Sequence, residues 1–111
     1  MSDCLFCKIV AGQIKGDKVY EDELVYAFKD INPQAPVHLL VIPKRHIDTA
    51  AEATPAELEA IFKAAKELAG MSGVSKTGFR MVINQGKDAG QAVPHLHLHL
   101  LGGRPLAWPP G

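Results

Sequence analysis

Three of the chain's five histidines fall in the stretch PHLHLHLLGG, Pro94–Gly103. His95, His97 and His99 alternate there with Leu96, Leu98 and Leu100. In a strand, residues two apart share a face and stand roughly 6.5–7 Å apart. The spacing therefore predicts three imidazoles on one face and three leucines anchoring the other in a core. Two chemistries use such a row. Alternate histidines can hold zinc, or a neutral imidazole steadied through one ring nitrogen can attack through the other. Crowded like charges disfavour protonation, so at least one ring is expected to be neutral at pH 7. Spacing alone leaves both open.

The preceding segment, NQGKDAGQAV (Asn84–Val93), places Gly86 and Gly90 in a loop returning to the histidines. Backbone N–H groups in such a loop can close on an anion, which favours phosphate chemistry over a bare metal site. A second group with chemistry lies at the start. Cys4 and Cys7 are three apart and share one side of a short helix. In a reducing compartment such a pair suggests metal or reduced thiols more than a structural disulfide.

The elements that must position these residues follow an α+β pattern. CLFCKIV predicts a short helix with Leu5, Phe6, Ile9 and Val10 as its apolar stripe. KVYE, LVYAFKD, HLLVIP, FRMVINQG and LHLHLLGG predict five strands, with INPQAP a loop because it holds two prolines. Between the third and fourth strands, Thr54, Pro55 and Glu57 form a capping-box start to one long helix. Leu58, Ile61, Phe62, Ala65, Leu68 and Ala69 follow at helical spacing, and Gly70 is the expected stop. The tail RPLAWPPG is irregular, and its Trp108 is expected to pack on something, a second subunit included.

Bulk properties narrow the partners. The 111 residues suit one domain, 1–111, with one modest core. Twelve basic residues balance twelve acidic ones, and no basic run is present. Nucleic acid and anionic membrane are therefore not expected partners. No stretch reaches membrane-spanning length and no basic segment leads into an apolar one, so the expected location is cytoplasmic.

Taken together, these residues resemble the histidine triad superfamily, whose signature is H-φ-H-φ-H-φ-φ with φ apolar. DINPQAPVHLLVIPKRHI (Asp30–Ile47), GFRMVINQGKDAGQAV (Gly78–Val93) and LGGRPLAWPPG extend the likeness over nearly the whole chain. They are similar to the branch called histidine triad nucleotide-binding proteins. The resemblance implies a five-stranded antiparallel sheet with one long and one short helix, two such sheets joining across a homodimer. It also implies hydrolysis of nucleoside 5′-phosphoramidates, typically of adenosine, at the α-phosphorus through a nucleotidyl-histidine intermediate. No cofactor is implied for that chemistry.

Carried over residue by residue, the resemblance makes His97 the nucleophile and His99 a phosphate-binding and proton-handling group. His38 is the further active-site histidine. Asp30 would take the ribose hydroxyls, and Asn84, Gly90, Gln91 and Ala92 the phosphate. Phe6, Ile9, Ile14, Phe28, Ile31 and Leu40 would line the base slot, with Leu98 counted in the substrate-binding set. Cys4, Cys7, His46 and His95 would surround a structural zinc, a closed Cys₂His₂ set. One departure stands out: Ala92 occupies a position where this branch commonly has a serine that assists the leaving group. A nucleotide-binding protein with little turnover is therefore a second reading. A metalloenzyme in which all three triad histidines bind zinc is a third.

Overall fold

The computed structural model describes residues 3–111. Its elements run α1 (Leu5–Val10), β1 (Lys18–Glu21), β2 (Val25–Lys29), β3 (Val37–Pro43), α2 (Pro55–Met71), β4 (Phe79–Ile83) and β5 (Leu98–Gly102), with a 3₁₀ turn at Ala50–Glu52. The five strands form one sheet in the order β1-β2-β3-β5-β4, every pair antiparallel. The α+β architecture expected from the sequence is the one observed. Among the described residues no helix is long and apolar enough to cross a membrane.

Both faces of the sheet are covered, by different helices. On one face Ile61, Ala65 and Leu68 of α2 pack with Val41, Leu96, Leu98 and Leu100. On the other, Phe6 and Ile9 of α1 pack with Tyr26, Phe28, Leu40 and Ile42. Because side chains alternate along a strand, β5 sends Leu98 and Leu100 to the α2 side. In register, His99 lies between Leu40 and Val82, on the α1 side.

Three details depart from the sequence reading. First, α2 runs past Gly70 to Met71 and ends at Ser72. Gly73 follows at φ +79°, its N–H donating to Gly70 O while Val74 N–H reaches Ala69 O. That closing pattern needs a left-handed residue just beyond the cap, and Gly73 supplies it. Second, Phe62 is 44% exposed and Ala64 takes its expected place in the core. Third, β5 begins only at Leu98, so His95, Leu96 and His97 precede the ladder. The opposing strand ends at Pro43, which has no N–H to give and whose carbonyl accepts from the His95 ring at 2.8 Å. Leu96 N–H instead reaches Ile47 O at 2.7 Å. The facing of the histidines and leucines survives the loss of the ladder.

The helix start is as the capping box predicts. Thr54 Oγ1 accepts from Glu57 N–H, and Glu57 Oε1 accepts from Thr54 N–H. Glu57 is also buried and takes a forked pair from Arg45, Nε to Oε2 at 3.0 Å and Nη2 to Oε1 at 2.8 Å. The Arg45 guanidinium, ahead of the backbone N–H of Thr54, holds the Glu57 carboxylate down to about 2 despite burial. Its depressed pKa makes the stabilising contribution full above the ordinary carboxylate value and lost as pH falls toward 2. Glu57→Ala removes cap and pair together and is expected to lower Tm by roughly 4–8 °C. An unchanged Tm in calorimetry at pH 7 would contradict this role.

Candidate active site and adjoining thiol–histidine cluster

The hydrogen bonds around the triad define which nitrogen of each ring is free. His97 Nδ1 lies 2.8 Å from the carbonyl of His95, an acceptor only, so Nδ1 carries the proton and Nε2 keeps a lone pair. Phe6 packs edge-on against this ring at 5.2 Å, fixing its plane. Gln34 N–H donates to His38 Nδ1 at 3.0 Å, which leaves the His38 proton on Nε2. That Nε2–H points at His99 Nδ1, 2.9 Å away, with Asp30 Oδ2 at 3.4 Å as a second acceptor. His99 is then protonated on Nε2. The hydrogen bonds thus assign a tautomer to each of the three rings. One offers a lone pair, and another offers an N–H beside it, ring centres 4.9 Å apart.

Electrostatics favours the neutral forms of His38 and His99. Burial lowers His38 below its ordinary value, with Asp30 opposing. Burial, then His97 and His38 beside it, brings His99 down to about 4, again against Asp30. A histidine so depressed stabilises the fold fully above its unfolded value near 6.5 and progressively less as pH falls toward 4. The His99 ring is therefore expected to titrate near pH 4 by NMR, and unfolding midpoints to fall across pH 6.5 to 4. In His99→Gln that fall should be shallower; an equally steep fall would contradict the assignment.

A cavity of about 270 Å³ opens in front of His97 and His99. Phe6, Ile9, Ile14, Phe28 and Leu40 form its apolar walls, and Ile31 stands exposed at the mouth. Asp30 and Ala92 also line it. All six residues expected in the base slot thus border one cavity, together with Leu5, Lys15 and Val93, which the sequence reading did not place there. The cavity is apolar on most sides and polar at the histidines.

Four of the expected substrate-binding residues do not line that cavity. Leu98 is fully buried on the α2 side of the sheet, because the alternation that brings His97 and His99 to one face sends Leu98 to the other. Its side chain cannot touch a ligand in this cavity. Gly90 and Gln91 spend their backbone N–H groups inside the loop, on Lys87 O and Gly86 O. Gln91 also braces the loop with its side chain, accepting from Gly86 N–H and donating to Asp48 O and Val93 O. The glycine loop is thus closed on itself, and Ala92 and Val93 form its wall toward the cavity. Asn84 lies just beyond β4, outside the lining.

Behind His97 sits the second cluster. Donor atoms of Cys4, Cys7, His46 and His95 all lie within 4.8 Å of one another. Cys4 Sγ is 3.3 Å from His95 Nδ1, and Cys7 Sγ is 3.3 Å from His46 Nδ1 and 3.6 Å from His95 Nδ1. Tetrahedral zinc with ordinary bond lengths holds sulfur and nitrogen donors roughly 3.5 Å apart. The chemistry of the rings fits as well. His95 donates through Nε2 to Pro43 O, and His46 Nε2 faces Asp48 Oδ1 at 3.3 Å. Each ring therefore turns an unprotonated Nδ1 to the sulfurs, as a metal-binding histidine with an outer carbonyl or carboxylate does. Cys4 is the N-cap of α1 and accepts from Cys7 N–H, which sets the two thiols side by side. Cys4, Cys7, His46 and His95 could hold one divalent ion.

A family model for the HIT domain matches residues 11–106. The chain belongs to the HIT domain family. It is 51% identical over 112 residues to an uncharacterized HIT-like protein of Synechocystis sp. strain PCC 6803, covering 98% of this chain and 97% of that one. The crystal structure of a HIT family hydrolase from Legionella pneumophila Philadelphia 1 superposes with a TM-score of 0.93 at 50% identity, covering 98% of this chain and all of that one. A histidine triad nucleotide-binding protein from Candida albicans superposes with a TM-score of 0.87 at 32% identity, covering 96% and 83%. Position 92 of this HIT protein, an alanine, thus stands in the wall of the cavity itself.

Two residues of this HIT site carry no side-chain signal in the sequence. Gln34 acts on His38 through its backbone N–H, and Pro43 acts on His95 through its carbonyl. Backbone groups are the same in every residue, so only the fold reveals them.

Proposed function

We propose that this protein is a cytoplasmic, single-domain hydrolase (residues 1–111) that binds purine nucleotides and cleaves nucleoside 5′-phosphoramidates at the α-phosphorus. The observation that carries the reading is the His97 ring. Its Nδ1–H is spent on the His95 carbonyl, leaving Nε2 as the free nitrogen of a ring that borders the cavity. Nε2 forms a bond to phosphorus, the bond from phosphorus to the substrate amine breaks, and the amine takes up a proton as it leaves. Water then attacks the phosphorus, returning the electron pair to His97 and releasing the nucleoside monophosphate. His99 Nε2–H donates to a phosphate oxygen where negative charge grows. Asp30 takes the ribose, the apolar walls take the base, and Asn84, Gly90, Gln91 and Ala92 stay assigned to the phosphate side by resemblance.

A structural zinc on Cys4, Cys7, His46 and His95 completes the reading, its donor set supported by the spacing and tautomers above. The bound ion would supply a cross-link between α1, the segment after β3 and the approach to β5. Two copies would join through an edge of the sheet. β4 is a free edge that exposes Phe79 and Met81, which supports that arrangement.

Ala92 favours a second reading, a nucleotide-binding protein that turns over slowly. Without a hydroxyl at that wall, the proton for the leaving amine comes from His99 or water. The third reading, zinc on all three triad histidines, is disfavoured because His95 turns its free nitrogen to the sulfurs rather than toward His97 and His99. The deciding assay is AMP release from adenosine 5′-phosphoramidate. Many equivalents of AMP per chain support the hydrolase. AMP binding with release limited to one equivalent supports the second reading.

A further inference from the structure

The C-terminal segment after β5 reaches back across the molecule to the loop before β3. Arg104 donates from Nε and Nη2 to the carbonyl of Gln34, at 3.1 and 2.9 Å, and from Nη1 to Pro105 O at 2.8 Å. Gly103 lies flat on the same loop. Its φ of +92° suits only glycine, and a Cβ there would sit 2.9 Å from Pro36 Cβ. Two neighbouring residues thus clamp the Gln34–Pro36 turn by independent contacts. The turn itself is braced locally, with Gln34 Nε2 donating to Asn32 O and Asn32 N–H to Asp30 Oδ1.

The clamped residue is one step from the site. Gln34 presents its carbonyl to Arg104 and its own N–H to His38 Nδ1. We propose that Arg104 is a positioning residue for the reaction: by fixing Gln34 it fixes the His38 tautomer, and through His38 the tautomer of His99. The sequence of donors is Arg104 to Gln34 O, Gln34 N–H to His38 Nδ1, His38 Nε2–H to His99 Nδ1. If the Gln34 N–H withdraws, His38 can carry its proton on either nitrogen, and His99 loses the donor that keeps its own proton on Nε2. A His99 protonated on Nδ1 presents a lone pair, not an N–H, to a phosphate oxygen. That mismatch slows the chemical step more than it weakens apolar binding of the base.

The assignment of tautomers stands apart from the proposed function, while the kinetic consequence rests on it. The test therefore has two arms, run on wild type, Arg104→Ala and Arg104→Lys. Long-range ¹H–¹⁵N spectra of ¹⁵N-histidine protein at pH 7 read the tautomers. In wild type, His38 and His99 are expected to show only the Nε2–H form. In Arg104→Ala the His38 nitrogens should move to values averaged between the two forms, and Arg104→Lys should recover most of the shift. For adenosine 5′-phosphoramidate, kcat should fall roughly 5- to 30-fold in Arg104→Ala with KM changed less than about twofold. A purely structural clamp would lower Tm and leave the imidazole spectrum untouched. A pure Nε2–H spectrum for His38 in folded Arg104→Ala overturns the proposal. If the tautomers shift as stated in a protein whose wild type never turns over, the positioning role stands and the hydrolase reading fails.

Discussion

Replacing His97 with alanine is expected to cut AMP release from adenosine 5′-phosphoramidate by at least about a thousandfold. The protein should still fold and keep any bound metal. The size follows from the role. A nucleophile that forms the covalent intermediate has no substitute in the site, because the Nδ1 lone pair of His99 accepts from His38 and its Nε2 carries the proton. The folding claim follows from the ring's bonds. His97 makes one hydrogen bond, to a carbonyl that water can reach once the ring is gone, and it makes no contact with the sulfurs. Since the deleted ring leaves a gap under Phe6, His97→Asn serves as a second variant of closer size. Equal loss in both variants, with near-native Tm, assigns the effect to chemistry. Retention of more than about a tenth of the activity in folded His97→Asn would remove His97 from the nucleophile's place.

The second large effect belongs to the thiol–histidine cluster. Cys7→Ala is expected to drop bound zinc from about one per chain to below about a tenth and to lower Tm by more than roughly 10 °C, since a structural zinc's binding energy is folding energy. The cluster draws its donors from three segments. α1 contributes both cysteines, the stretch after β3 contributes His46, and the approach to β5 contributes His95. The consequence for catalysis is indirect but specific. The carbonyl that orients His97 belongs to His95, the same residue whose ring faces the sulfurs. Loss of the ion therefore releases the residue that aims the nucleophile, and kcat should fall with metal content while His97→Ala lowers kcat at full metal content. Elemental analysis and calorimetry on both variants check the contrast. A metal-free Cys7→Ala with unchanged Tm would show that the four donors meet for another reason.

Much of this architecture is legible in the sequence, and the legible part has a common cause. Alternation of His and Leu reports facing, since the period of a strand is fixed whether or not its ladder is complete. Thr54, Pro55 and Glu57 report the start of α2 because capping uses side-chain chemistry at fixed offsets. What eludes the sequence depends on backbone groups or on three-dimensional competition. The start of β5 is set by the lack of an N–H on Pro43 and by its carbonyl being taken by His95, a contact 52 residues away in sequence. Phe62 and Ala64 both suit the apolar arc of a helix, and only the distance to the sheet decides that the smaller one is buried. Gly70 and Gly73 are both eligible stops; Gly73 wins because Val74 beyond it drops into the core. Leu98 belongs to the core by the same alternation that places the histidines, so its inclusion with substrate-binding residues conflicts with the strand's own period.

The covalent intermediate is the central claim, and it can be observed directly. Enzyme mixed with excess adenosine 5′-phosphoramidate and quenched in alkaline denaturant within milliseconds should carry one adenylyl group. Proteolysis and mass spectrometry should place it on His97. AMP release without any adduct, or an adduct placed on His99, would contradict the account.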